Sequence, residues 1–213
     1  MTLRVHLPAR ARVTVSSLSW FLLAGGLAGV LVYTWSVSES WVYQETQRAQ
    51  LPEAAPPVLA ANRVAAILPR KWFPPDPLVL GRLEVPRLGL SAIIRDGVDA
   101  PTLRKAVGHV PTTPLPGEWG NSVVAGHRDT FFRGLREIAR GDRIRVVRRN
   151  GVAEYIVDGL AITGPESIEV MQASADKRIT LITCYPFGYV GSAPRRFVVT
   201  ARSIASTDNG DGH

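Results

Sequence analysis

Residues 178–199 read Arg-Ile-Thr-Leu-Ile-Thr-Cys-Tyr-Pro-Phe-Gly-Tyr-Val-Gly-Ser-Ala-Pro-Arg-Arg-Phe-Val-Val. Thr180 to Thr183 is a short, apolar, β-branched run, which predicts a strand. Cys184 stands where that strand should end. Pro186, Gly188, Gly191 and Pro194 predict a loop, and Phe197 to Thr200 a second strand. Cys184 is the only cysteine in 213 residues. Lone cysteines commonly pack as small buried hydrophobes. Here the loop edge, the returning Arg195 and Arg196, and a histidine loop upstream point to a thiol within reach of solvent and substrate.

The strands expected before this stretch are short and separated by turn residues. Val79 to Val85 alternates and then meets Pro86. Ser91 to Ile94 and Asn121 to Ala125 are further short runs. Pro101 to Ala106 predicts about one helical turn, with Pro101 at a favoured early position. The clearest hairpin is Asp142–Val147 and Val152–Asp158 around Arg148-Arg149-Asn150-Gly151, where Asn-Gly suits a tight turn. Helical periodicity is weak throughout, and many short strands with turn signals predict an all-β sandwich or barrel.

The N-terminal part is different. No charged residue occurs from Val13 to Ser38, and the apolar centre runs from Leu18 to Tyr33. About 20 such residues cross a ~30 Å hydrocarbon core. Trp20 near one end and Tyr33 and Trp35 near the other suit the two interfaces. Arg4, Arg10 and Arg12 precede the span, so the positive-inside rule keeps the N-terminus cytoplasmic and sends the remainder outside. A cleaved signal peptide would have a shorter apolar region and a small-x-small site, which this stretch lacks. Gly25, Gly26 and Gly29 suit a membrane helix better than a soluble core helix.

The expected division is a cytoplasmic N-terminus at 1–12, a transmembrane helix at 13–37, a Pro/Ala-rich spacer at 38–77, a folded domain at 78–203 and a flexible tail at 204–213. Seven prolines between Leu51 and Pro77 favour an extended, semi-rigid spacer. A helical patch is expected at Asn62–Leu68. Trp72 and Phe73 are expected to dock on the domain surface, the alternative being a lid over a groove.

Lys and Arg number 25 and Asp and Glu 18, a net charge of +7. The excess is dispersed. Its densest group, Arg143, Arg145, Arg148 and Arg149, reads as the solvent face of the hairpin, so nucleic acid is not an expected partner. One cysteine excludes an intrachain disulfide and a Cys-rich zinc site. No phosphate-binding or dinucleotide glycine motif is present.

A thiol titrates near pH 8.5, so a cysteine nucleophile needs a base or a positive field. Of four histidines, His6 precedes the membrane span and His213 ends the chain. His127 follows the strand Val123-Val124-Ala125, and His109 lies in a Pro-rich loop. Position favours His127 and leaves His109 open. Attack on a carbonyl also creates an oxyanion, which a fixed guanidinium stabilises. Arg195 and Arg196 begin the next strand and face opposite ways, so one of the two should serve.

Thr180-Leu181-Ile182-Thr183-Cys184 resembles the Thr-Leu-x-Thr-Cys signature of sortases, the membrane-anchored cysteine transpeptidases of bacterial surfaces. Cys184-Tyr185-Pro186-Phe187, Arg196-Phe197-Val198-Val199 and Gly126-His127-Arg128-Asp129-Thr130-Phe131-Phe132 resemble the class D group. The likeness covers about Leu80 to Ala201. It implies an eight-stranded β-barrel with short helices. It implies Cys184 as nucleophile, His127 as general acid/base and Arg196 as the stabiliser of substrate and oxyanion. Thr183 and Tyr185 are the expected substrate contacts. The implied partners are a Leu-Pro-x-Thr-Gly-like sorting peptide of secreted proteins, an amine acceptor of the cell envelope, and the bilayer through Leu18–Tyr33. No metal or organic cofactor is implied. Some sortases carry an Asp-Pro-aromatic lid; Trp72–Pro77 presents the reverse order. An extracytoplasmic peptidase that only hydrolyses and a membrane-tethered binding module are the alternatives on residues alone.

Overall fold

The computed structural model describes residues 9–51, 76–189 and 191–204. The expected helical patch at Asn62–Leu68, the Trp72-Phe73 pair and the tail beyond residue 204 lie outside them. The chain forms two compact units, Met1–Trp41 and Val42–His213.

The first unit belongs to helix α1, Ala9–Arg48, which is longer at both ends than the expected 13–37 span. Its stretch from Trp20 is long and apolar enough to cross a membrane, with a mean hydropathy of 1.6. Phe21, Leu23, Leu27 and Leu31 are exposed on this helix, so no core formed by the described residues takes them up. A helix apolar on all sides needs burial in protein or lipid. The Thr34 hydroxyl donates to the Val30 and Leu31 carbonyls, and Ser38 to Trp35, so these polar groups are satisfied within the helix.

The second unit is a closed eight-stranded β-barrel in the order β1-β2-β3-β4-β7-β8-β6-β5. The strands are β1 Val79–Val85, β2 Leu90–Asp96, β3 Val107–His109, β4 Gly120–Ala125, β5 Arg143–Arg148, β6 Gly151–Thr163, β7 Lys177–Tyr185 and β8 Arg195–Ser203. Closure leaves no sheet edge to aggregate. The all-β expectation holds, with only short helices between the strands among the described residues. One of these, α2 (Ala100–Lys105), is capped by Asp99, whose carboxylate accepts the Thr102 N–H.

Alternation along each strand fills the interior. On β7, Ile179 and Leu181 point inward, and on β8 Val199 and Ala201 face them. Leu83, Val124, Ile144 and Val146 join this core, with Phe132 and Leu135 packed against it. Each fully buried large apolar side chain contributes about 1.5–3 kcal/mol. Tyr155 is fully buried, and its hydroxyl accepts the Gly117 N–H at 2.6 Å. Burial pushes this phenol up to about 12.

Two differences from the sequence reading bear on the barrel. The hairpin turn centres on Arg149 and Asn150, because Arg148 pairs with Gly151 and Gly151 opens β6 at φ 143. His109, read as part of a loop, ends β3, a three-residue strand parallel to β2.

The stretch after Trp41 engages the barrel. Gln44 takes the Ile93 N–H at 2.8 Å on its oxygen and donates its amide to the Lys105 carbonyl at 2.7 Å. Leu51, read as spacer, is buried against Ile93 and Ala106. Tyr43, also read as spacer, donates to Asp76 at 2.9 Å, and Arg95 meets the same carboxylate. Burial alone would push Asp76 up. The Leu78 N–H, the Tyr43 hydroxyl and Arg95 outweigh it and hold the carboxyl below its usual range. The two ends of the proline-rich stretch, Leu51 and Asp76, are therefore both fastened beside β2.

Candidate active site

The site follows from one pairing. β4 and β7 run parallel, with Ala125 beside Ile182, so both strands end on the same rim of the barrel. The ladder continues past the end of β4: the Gly126 N–H donates to the Ile182 carbonyl at 3.1 Å. The Thr183 hydroxyl then donates to the Gly126 carbonyl at 2.7 Å. Two residues beyond the Ala125–Ile182 pair come His127 on one strand end and Cys184 on the other. Neighbouring strands lie about 4.8 Å apart.

The antiparallel β7–β8 ladder adds the third group. Cys184 pairs with Arg196, and Arg195 pairs with Tyr185. Directly opposed residues share a face. Ile179 and Leu181 face inward, so Cys184 and Arg196 lie on the outer face. Cys184 and Arg196 are half-buried, and His127 is exposed. The Arg196 guanidinium donates to the Ala193 carbonyl at 3.2 Å, in the loop that precedes β8, and to the Arg195 carbonyl at 3.1 Å, at the start of β8.

One step along the strands, Ala125, Ile182, Val198 and Ala161 continue this outer face as an apolar floor. Its far end is walled by the β6–β7 connection. Asn121 donates to the Val170 and Gln172 carbonyls and accepts from Thr180 at 2.7 Å. Ile168 in that connection is 69% exposed.

The remaining sequence-based candidates are placed as follows. Thr183 is 2% exposed and turned inward, tying β7 to Gly126. Tyr185 stacks on Phe197 at 6.4 Å and meets Phe187 edge-on at 6.1 Å. His109 is 1% exposed. Its Nδ1 lies 2.9 Å from Asp96, and its Nε2 lies 3.0 Å from the Pro114 carbonyl and 3.2 Å from Thr113. Both ring nitrogens are therefore engaged, away from the rim that carries Cys184.

Two residues at the site were missed in the sequence. Thr163 pairs with Arg196 from β6, and its hydroxyl is buried with no hydrogen-bond partner among the described residues. Arg128, next to His127, is buried and bonds to carbonyls of the loop after Cys184. Nothing local separates either from an ordinary threonine or a solvated arginine.

A thiol, an imidazole and a guanidinium at one rim, above an apolar floor, form a set suited to attack on a carbonyl in an extended peptide. Among the described residues there is no cluster of His, Cys, Asp and Glu able to hold a metal ion.

The family model for the sortase domain matches residues 83–204. Sortase D of Bacillus subtilis is 35% identical over 125 residues, which cover 58% of this chain and 63% of that protein. The chain thus matches less than two thirds of this relative's length. Among solved structures, a Clostridium perfringens Sortase D5 transpeptidase superposes with a TM-score of 0.55 at 26% identity, covering 60% of this chain and 79% of that one. Sortase C-1 from Actinomyces oris superposes with a TM-score of 0.56 at 29% identity, covering 61% and 75%.

Proposed function

Because the chain belongs to the sortase family, we propose that it is a membrane-anchored cysteine transpeptidase. The substrate is a Leu-Pro-x-Thr-Gly-like sorting peptide near the C-terminus of a secreted protein. The Cys184 sulfur attacks the Thr carbonyl, and a thioester forms as the Thr–Gly bond breaks. His127 gives a proton to the leaving Gly amine, a role that typically contributes ~10²–10⁴-fold. Arg196 stabilises the oxyanion and the bound peptide through Nε and Nη2, since the Ala193 and Arg195 carbonyls engage Nη1 alone. An amine of the cell envelope then attacks the thioester, forms a new amide and releases the thiol. Tyr185 borders the peptide, and Thr183 acts by holding β7 against Gly126.

In this reading α1 anchors the protein in the bacterial cytoplasmic membrane through Leu18–Tyr33, with the N-terminus inside and the barrel outside. The absence of charge from Val13 to Ser38 and the arginines at positions 4, 10 and 12 support that orientation. The observation that carries the catalytic reading is the paired register: Cys184 opposite Arg196, on a strand parallel to the one that leads into His127.

The test is incubation of the full chain with a Leu-Pro-x-Thr-Gly peptide library, with and without a soluble amine. Ligated product in the presence of amine supports the reading. Cleavage that gives only the free acid, however much amine is added, makes the protein a hydrolase. No cleavage and an unreactive thiol make it a binding module.

A further inference from the structure

Arg128 is 6% exposed, yet most of its bonds go to a part of the chain about sixty residues away. One terminal nitrogen donates to the Pro186 carbonyl at 2.8 Å. The other donates to the Tyr189 carbonyl and, at 3.3 Å, to the Gly191 carbonyl. The Tyr189 ring lies 6.0 Å from the guanidinium. Among the described residues Nε meets only Asp129, whose side chain is 70% exposed, and a solvated pair of that kind contributes little. The side chain is therefore committed to the backbone that follows Cys184. Its own backbone follows His127.

We propose that Arg128 is a positioning residue, which locks the segment after the thiol to the segment after the imidazole and so fixes the two reacting groups relative to each other. The inference rests on the catalytic reading of Cys184 and His127 given above. The same loop is held at its other end by Arg196, through the Ala193 and Arg195 carbonyls. Those two bonds use Nη1 alone, so Arg196 keeps Nε and Nη2 for the substrate. Arg128 commits both terminal nitrogens to the loop, which separates the work of the two arginines: one faces the peptide and the other holds the backbone. The role requires a planar fork with donors directed at three separate carbonyls. An ammonium is a single point of charge and cannot reproduce it.

The test compares Arg128→Lys and Arg128→Ala with the unaltered full chain in detergent. Steady-state kinetics use a Leu-Pro-x-Thr-Gly peptide. In parallel, the pH dependence of Cys184 alkylation by iodoacetamide is followed by mass spectrometry, with hydrogen exchange at Tyr185–Tyr189 and the melting temperature. The expected result is a fall in kcat of about 10²-fold in both variants, the scale of a small misplacement of reacting groups. KM stays close to the parent's, and both variants remain folded at the assay temperature although their melting temperatures fall. The alkylation profile is altered and exchange is faster. Arg128→Lys with parental kcat and parental alkylation profile overturns the proposal. So does a loss of kcat matched by the fraction unfolded. If the unaltered chain cleaves no peptide, the transpeptidase reading fails by itself. The Arg128 inference is then decided by alkylation and exchange alone: changes in both sustain it, and identical profiles overturn it.

Discussion

Cys184 and Arg196 are directly opposed residues of the β7–β8 ladder, whereas Arg195 opposes Tyr185. Side chains of opposed residues share a face, and the next pair along lies on the other. Replacing Arg196 by Ala is therefore expected to lower kcat/KM for a sorting peptide by about 10²–10³-fold, as for loss of an oxyanion donor. Replacing Arg195, which is exposed, should have a much smaller effect. Rates for the two variants on one peptide check this. The opposite ranking would mean that the wrong arginine faces the substrate.

Gly126 leaves no room for a side chain. A Cβ there would lie 2.8 Å from the Phe132 ring and 3.0 Å from Val107. Phe132 is fully buried and has little space to yield. Gly126→Ala should displace the His127 backbone and lower kcat by about 10²-fold, as well as the melting temperature. Parental kcat in this variant would show that His127 tolerates a shifted backbone.

The Asp142 carboxylate is nearly buried. It accepts from Arg87 at 2.7 Å and from the Ala139 N–H at 2.8 Å. The hydrogen bonds from Arg87 hold it below the usual carboxylate range, against the opposing effect of burial. A depressed folded-state value means that the stabilisation is complete above the unfolded value of about 3.9. It is lost as the pH falls through the lower, folded value. The expected outcome is that the parent is more stable than Asp142→Asn at neutral pH and that the two converge in acid. Denaturant midpoints from pH 7 to pH 2 measure this; a gap that stays constant across the series would contradict it.

Gln44 bridges the Ile93 N–H of β2 and the Lys105 carbonyl at the end of α2. β3 is too short to reach this N–H, since its pairing with β2 begins at Ile94. Gln44→Ala leaves both backbone groups without this partner and should destabilise the barrel by about 1–3 kcal/mol. A shift in the denaturant midpoint checks it. An unchanged midpoint would show that the segment after Trp41 does not brace β2.

The residues that were readable in advance are those whose partners are local or whose pattern repeats. Val79–Val85 alternates and was legible as β1. Cys184 was legible as a strand end because Thr180–Thr183 is β-branched and Pro186 follows. β3 was not legible. Val107-Gly108-His109 is three residues long, and its glycine reads as loop, although a Cβ on Gly108 would lie 2.3 Å from the Gly97 carbonyl. Alternation says that Arg195 and Arg196 differ without saying which one faces the thiol; the resemblance named Arg196, and the register sets that residue opposite Cys184. Arg128 was hidden for a different reason. Its acceptors are backbone carbonyls of a distant loop, which no side-chain pattern announces. Tyr43, Gln44 and Leu51 fell in the expected spacer because their partners are distant in sequence: Asp76 for Tyr43, the Ile93 N–H and Lys105 carbonyl for Gln44, and Ile93 with Ala106 for Leu51.

The most direct measurement is the mass of the full chain after brief exposure to a Leu-Pro-x-Thr-Gly peptide. We expect Cys184 to gain the mass of the peptide up to its Thr. A soluble amine should discharge that adduct into ligated product, and Cys184→Ala should show neither species. Peptide cleavage at the parental rate by Cys184→Ala, or turnover with the label on another residue, would contradict the account.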